Sequence, residues 1–181
     1  MFKLVKIKNI SLTLFYFSLS FFQLSCKTND FPKRITIASS GKIESLDPAR
    51  ANTLKSLQLI SAMGDTLYEM SKEGVLIPKL ASEMPKLSSN KLRIEIKLKK
   101  NIFFHDGTPF DSNAMKFTIE RFQKIGTTNY ILGGKIKSIE TPSKEIIIIN
   151  LNKPSSSIEG LLTSINLTAI SPTFYKGYTK K

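Results

Sequence analysis

The chain contains one histidine, His105, and the residue after it is Asp106. An imidazole beside a carboxylate is a pairing used in general acid–base chemistry. Here, however, the two are immediate neighbours. On an extended chain successive side chains point to opposite sides, and a working catalytic triad is assembled from distant segments. No serine stands in a G-x-S-x-G elbow. A zinc site needs about four ligands, and His105 with the lone cysteine, Cys26, does not supply them. The run "GGK" at 133–135 lacks the spacing of a phosphate-cradling loop. "FFHDGTPFDSNAMKFTIERF" (103–122) therefore reads as scaffold. Asp106-Gly107-Thr108-Pro109 makes a turn, and Asp111 or Ser112 caps the helix that follows. No enzymatic activity, metal or cofactor is expected.

The elements around that turn read as mixed α/β. "RITIASS" (34–40) alternates Ile35 and Ile37 with polar residues, as a strand does, and a loop follows at Gly41. "LDPA" (46–49) is a turn. Leu54, Leu57, Ile60, Met63, Leu67 and Met70 recur every three or four positions, which predicts a helix over 53–70 with that stripe in the core. Residues 76–90 contain two prolines and predict an extended connection. "KLRIEIKLK" (91–99) sets Leu92, Ile94, Ile96 and Leu98 against Arg93, Glu95, Lys97 and Lys99, the pattern of a strand with one dry and one wet face. Met115, Thr118, Ile119 and Phe122 form the buried stripe of the capped helix. Residues 125–138 read as a loop or short element. "EIIIINL" (145–151) predicts a strand buried on both faces, 155–165 a short helix, and "LTAIS" (167–171) another strand.

The chain has 181 residues, 27 Lys+Arg against 14 Asp+Glu, and a formal net charge of +13. Such a charge attracts nucleic acid or anionic membrane surfaces. The lysines are dispersed, no arginine cluster is present, and aromatics do not interleave with basic residues as a base-stacking surface requires. A solvated lysine-rich surface is the simpler reading, and no nucleic-acid partner is expected. Residues 1–9 carry three lysines and no acid, and "ISLTLFYFSLSFF" (10–22) is uncharged and mostly apolar. That run is short of the roughly 20 residues of a membrane span and fits a secretory signal ending near residue 25. Ser25 and Cys26 resemble the lipobox of bacterial lipoproteins, although Gln23 stands where that pattern carries leucine. The resemblance implies lipid attachment at Cys26, with 26–33 as a tether. An ordinary secreted protein with a spare thiol, or an uncleaved anchor, is the alternative.

Several stretches together resemble the extracytoplasmic solute-binding proteins of ABC importers, in the group handling oligopeptides, dipeptides and nickel. "ITIASSGKIESLDPA" (35–49) is similar to that family's first strand and its L-D-P loop, and "DTLYEM" (65–70) to its Y-E-G-L segment. Residues 76–122 follow its signature: a proline, L-A, a serine-rich turn, an alternating strand, F-H-D-G-T-P-F, and a helix ending in E-R. Residues 136–163 and "AISPTFY" (169–175) follow the next section. Met70 and Asn101 depart from the pattern, the latter standing where glycine is usual.

The resemblance implies an α/β, periplasmic-binding-protein-like fold (type II, peptide-binding group), truncated to part of lobe one plus its inserted subdomain. Residues 34–75 would begin lobe one, 76–165 would form a mixed α/β subdomain, and 166–181 would return toward lobe one. It further implies a peptide or similar small solute as ligand, ABC permease subunits as partners, and a site in the periplasm or on the outer face of the cell membrane. Ser39, Ser40, Gly41 and Lys42, in the loop after the first strand, would line one wall of the cleft. On the residues alone that loop is a solvent-facing turn. The alternative function is a stand-alone basic surface lipoprotein with a structural or adhesive role. Because the second lobe is absent from these residues, the 54–70 stripe is expected to be exposed.

Overall fold

The computed structural model describes residues 36, 38, 40–132 and 134–178. The expected first strand, signal, lipid site and tether fall on or largely on residues outside that set. The described residues from 40 to 178 belong to one compact unit.

That unit is organised by the most apolar run in the sequence. Ile146–Leu151 forms a strand, β6, at an interior position of a four-stranded antiparallel sheet ordered β3-β4-β6-β5. The partners are β3 (Lys86–Leu87), β4 (Arg93–Lys97) and β5 (Ile136–Ser143). Ile94 faces Ile149 and Ile96 faces Ile147 across the β4–β6 ladder, and all four are fully buried. Arg93, Glu95 and Lys97 lie on the other face, as alternation requires. Ile148 belongs to that face yet is only 3% exposed, set in register between Glu95 and Glu140. The two-sided burial expected of this strand is therefore observed.

The helix α2 (Ser112–Ile125) begins where expected. Asp111 is its cap, accepting a hydrogen bond from the Ala114 N–H at 3.0 Å. Ser112 instead donates through Oγ to the Ser143 carbonyl at 2.6 Å, joining the helix start to the β5–β6 turn. Met115, Thr118, Ile119 and Phe122 are buried as the spacing requires. Burying each such apolar side chain contributes roughly 1.5–3 kcal/mol. Gly126 ends the helix. A Cβ there would come within 2.5 Å of the Phe122 carbonyl oxygen, so the close packing admits only glycine without a shift.

The expected helix over 53–70 is corrected by the structure. The helix α1 runs only from Leu54 to Met63. Gly64 stops it, in contact so close with Thr168 that a Cβ would lie 2.6 Å from its methyl group. The chain then enters a two-stranded hairpin, β1 (Tyr68–Met70) with β2 (Leu76–Pro78). The stripe is consequently split: Ile60 and Leu67 are buried, while Leu54, Met63 and Met70 are 69%, 49% and 47% exposed. The buried face of α1 is centred on Ser56 and Ile60. The exposure of Leu54, Met63 and Met70 corrects the expectation of a core stripe and agrees with that of an uncovered one, and the stripe does not belong to a single helix.

Two further differences have local causes. No strand forms at 167–171 among the described residues. A 3-10 turn (Ile165–Leu167) leads into a segment whose Ala169 N–H bonds the Asp65 carbonyl and whose Ile170 N–H bonds Thr118 Oγ1, so its partners are single groups. β5 went unread because register shifts at Ile136/Ser138 and Glu140/Ser143 break its period of two. As an edge strand it also tolerates Pro142. Two short helices, α3 (Ile158–Leu161) and α4 (Pro172–Tyr178), close the described chain.

Asn101 has φ +57°, a left-handed conformation that asparagine tolerates and a β-branched residue does not. Asn101→Val is expected to lower unfolding free energy by about 1–2 kcal/mol, while Asn101→Gly changes it by less than about 1 kcal/mol. Urea denaturation of the two variants checks this, and equal effects would contradict it.

Candidate functional site

Two of the turns that the sequence marks out, at 46–49 and 106–109, are fastened to distant segments by polar side chains. His105 Nε2 lies 3.2 Å from the Met63 carbonyl at the end of α1. Asp106 faces elsewhere: Oδ1 accepts from Thr108 N–H at 3.0 Å and Thr108 Oγ1 at 2.5 Å, and Oδ2 accepts from Ser171 Oγ at 2.5 Å. Gly107 at φ +79° makes this tight turn possible. The two side chains thus serve two different joints. Hydrogen bonds from Ser171 and then Thr108 hold the Asp106 carboxyl below its ordinary range.

The strongest fastening links the L-D-P turn to the E-R end of α2. The Arg121 guanidinium donates two bonds to Asp47, 2.7 Å to Oδ1 and 2.5 Å to Oδ2, with both side chains largely shielded from solvent. The paired bonds raise the guanidinium's pKa above its ordinary value. Arg121 also stacks on Tyr175 of α4, 4.4 Å from the ring centre. Asn166 adds two buried bonds to the same turn, to the Pro48 and Ala51 carbonyls at 2.7 and 2.8 Å. Neither link was foreseen from the sequence. The signal for the first was Arg121 itself, three residues beyond Thr118 and beside Phe122 on the edge of the buried stripe, where an isolated charge needs a partner.

The loop assigned to ligand contact leads directly into this hub. Ser40, Gly41 and Lys42 are exposed, and Ser39 lies outside the described residues. Gly41 has φ +110° and sits against the stem of Lys55 in α1. The loop's far end is fixed: the Ser45 N–H bonds Ser56 Oγ at 3.4 Å, and the Asp47 N–H bonds Ser45 Oγ at 3.1 Å. A separate cavity of about 280 Å³ lies at the other end of α1, between Ser61, Thr66, Lys79 and Thr168. Within it Lys79 sits 3.5 Å from Asp65 and 3.4 Å from Glu69. That cavity is not lined by Ser40, Gly41 or Lys42. Among the described residues no cluster of three or more His, Cys, Asp or Glu could hold a metal, and no helix is long and apolar enough to cross a membrane.

Residues 75–181 match the bacterial extracellular solute-binding proteins, family 5 (middle region). The chain belongs to that family. It is similar to the glutathione-binding protein GsiB of Escherichia coli O1:K1 / APEC, 26% identical over 151 residues, which is 82% of this chain and 29% of that protein. Among solved structures it resembles Listeria monocytogenes OppA bound to peptide, with TM-score 0.72, 22% identity and coverage of 79% of this chain and 31% of that one. It also resembles the substrate-binding domain of the oligopeptide ABC transporter from Bacillus anthracis str. Ames, with TM-score 0.70, 16% identity and coverage of 78% and 30%. The fold is thus that of part of a type II periplasmic binding protein. The chain spans about a third or less of the length of these relatives. The family is one of extracytoplasmic solute-binding proteins rather than enzymes.

A carboxylate with a depressed pKa stabilises the folded state above its ordinary pKa, and that contribution disappears as the pH falls through the depressed value. Ser171→Ala removes the first support of Asp106 and is expected to move the Asp106 titration back toward the ordinary carboxylate range. Carbon-detected NMR titration of the side-chain carboxyl reads the shift; an unchanged midpoint would show that Ser171 does not hold it.

Proposed function

We propose that the chain serves as part of the substrate-binding lipoprotein component of an ABC importer for peptides or similar solutes, with its loop 39–42 forming part of one wall of the solute cleft. The observation that carries this reading is the family match over 75–181, which includes Arg121, together with the Asp47–Arg121 joint that ties the matched helix to the turn just after the loop. Backbone groups of Ser39, Ser40 and Gly41 would meet a peptide's main chain by strand-like hydrogen bonding, a mode that leaves side chains loosely specified. Lys42 would face a solute carboxylate. The similarity to glutathione-binding proteins makes short peptides with free carboxylates the first solutes to try.

In this reading Cys26 carries the lipid, residues 26–33 tether the folded part to the outer face of the cell membrane, and permease subunits receive the solute. Residues 34–75 begin lobe one, 76–165 form the inserted subdomain, and the chain from 166 returns toward lobe one.

A chimera tests the binding role. Residues 40–178 replace the structurally matching segment of the Listeria peptide-binding protein, and peptide binding is followed by calorimetry. Saturable one-to-one binding is expected, with Lys42→Glu weakening it about tenfold, the scale of one lost charge-assisted hydrogen bond. A chimera that folds, by circular dichroism and cooperative melting, yet binds no peptide would contradict the role. Mass spectrometry of the membrane fraction is expected to show a lipid on an N-terminal Cys26; an intact residue 1 would contradict the anchor.

A further inference from the structure

We propose that the hairpin arm carrying Phe103 is a contact site for an anionic lipid bilayer, a second attachment that does not depend on Cys26. Phe103 is 64% exposed, although the segment around it is well braced. Its backbone bridges Pro109, the Phe104 N–H bonds the Thr108 carbonyl at 2.8 Å, and the Phe110 N–H bonds the Ile102 carbonyl at 2.9 Å. The next residue, Phe104, packs edge to face on Phe110 at 5.9 Å. A large apolar ring held outward on a fixed turn is costly in water and suited to an interface whose far side is hydrocarbon.

The surroundings select the occupant by charge. Phe103 shares a surface cavity of about 190 Å³ with Lys99, Lys100 and Lys144. All three lysines are exposed, and none lies within ion-pair distance of a described acidic residue. The two acids in the same cavity are Asp111 and Glu145. Asp111 is engaged as the cap of α2, and Glu145 is half-buried. Nearby Asp106 is held by Thr108 and Ser171. The cavity thus sets an aromatic ring beside three exposed lysines and two carboxylates, one of which is engaged as a helix cap, on a chain of net charge +13. Lysines near an anionic headgroup layer attract it additively, and the ring inserts at the acyl boundary.

The chain has no tryptophan, so Phe103→Trp introduces a single, selectively excitable tryptophan at the proposed contact. Tyr130→Trp is the control: Tyr130 is 72% exposed just beyond the C-terminus of α2, whereas the Phe103 cavity includes the cap at its N-terminus. The full chain is added to phosphatidylcholine vesicles with or without phosphatidylglycerol, some carrying brominated acyl chains. The Phe103→Trp chain is expected to show a blue shift and bromine quenching only with phosphatidylglycerol, weakened by salt, while emission of the Tyr130→Trp chain stays unchanged. Adding Lys99→Glu and Lys100→Glu to the Phe103→Trp chain should reduce lipid affinity at that probe about tenfold or more. Water-like emission from the Phe103→Trp chain on anionic vesicles, even where the protein sediments with them, would overturn the proposal. So would an equal shift in the Tyr130→Trp control, or a shift at the first probe indifferent to phosphatidylglycerol.

Discussion

The paired hydrogen bonds between Arg121 and Asp47 are the constraint on which the arrangement of the unit depends. They join residues 74 positions apart. They also bring together three pieces that share no sheet: the turn before α1, the helix α2, and the C-terminal α4 through the stacking of Tyr175 on the guanidinium. Planar guanidinium and carboxylate groups match each other's geometry in a way that lysine could not reproduce. Because both groups are largely withdrawn from water, losing one partner strands the other, so the pair is sensitive to substitution out of proportion to its net contribution.

The neighbouring polar links follow the same plan. Asn166 holds the Pro48 and Ala51 carbonyls, Thr127 N–H bonds the Ala49 carbonyl, and Thr118 Oγ1 accepts from the Ile170 N–H. Each satisfies a backbone group that a turn or irregular segment would otherwise leave buried and unpaired. The apolar sheet and α2 supply bulk stability, while these polar links decide where the irregular segments lie. The loop at 40–42, which enters the same turn through Ser45, takes its position from them.

This division explains what the sequence disclosed. Ile94, Ile96, Ile147 and Ile149 were legible because alternation and a continuous apolar run are local patterns. The α2 stripe and its Asp111 cap were legible for the same reason. The end of α1 was not: the spacing from Leu54 to Met70 continues through Gly64, and only contact with Thr168 and the hairpin Tyr68–Pro78 reveals the break. β5 was hidden by its bulges, and residues 167–171 look like a strand but find single partners instead of a ladder. At the candidate site, adjacency argued against pairing His105 with Asp106, and the structure sends the two side chains to different partners. The L-D-P and E-R motifs were both visible, but their pairing is a tertiary fact that spacing does not contain. Family resemblance supplied the fold and left the contact unread.

A double-mutant cycle on Asp47→Asn and Arg121→Gln, read by urea denaturation, tests the central claim most directly. A shielded, bidentate joint predicts that each single change is strongly destabilising and that the two couple by about 1.5 kcal/mol or more, as contacting members of one network do. A coupling below about 0.5 kcal/mol, the scale of an exposed ion pair, would show that the segments are held by other contacts and that this pair is incidental.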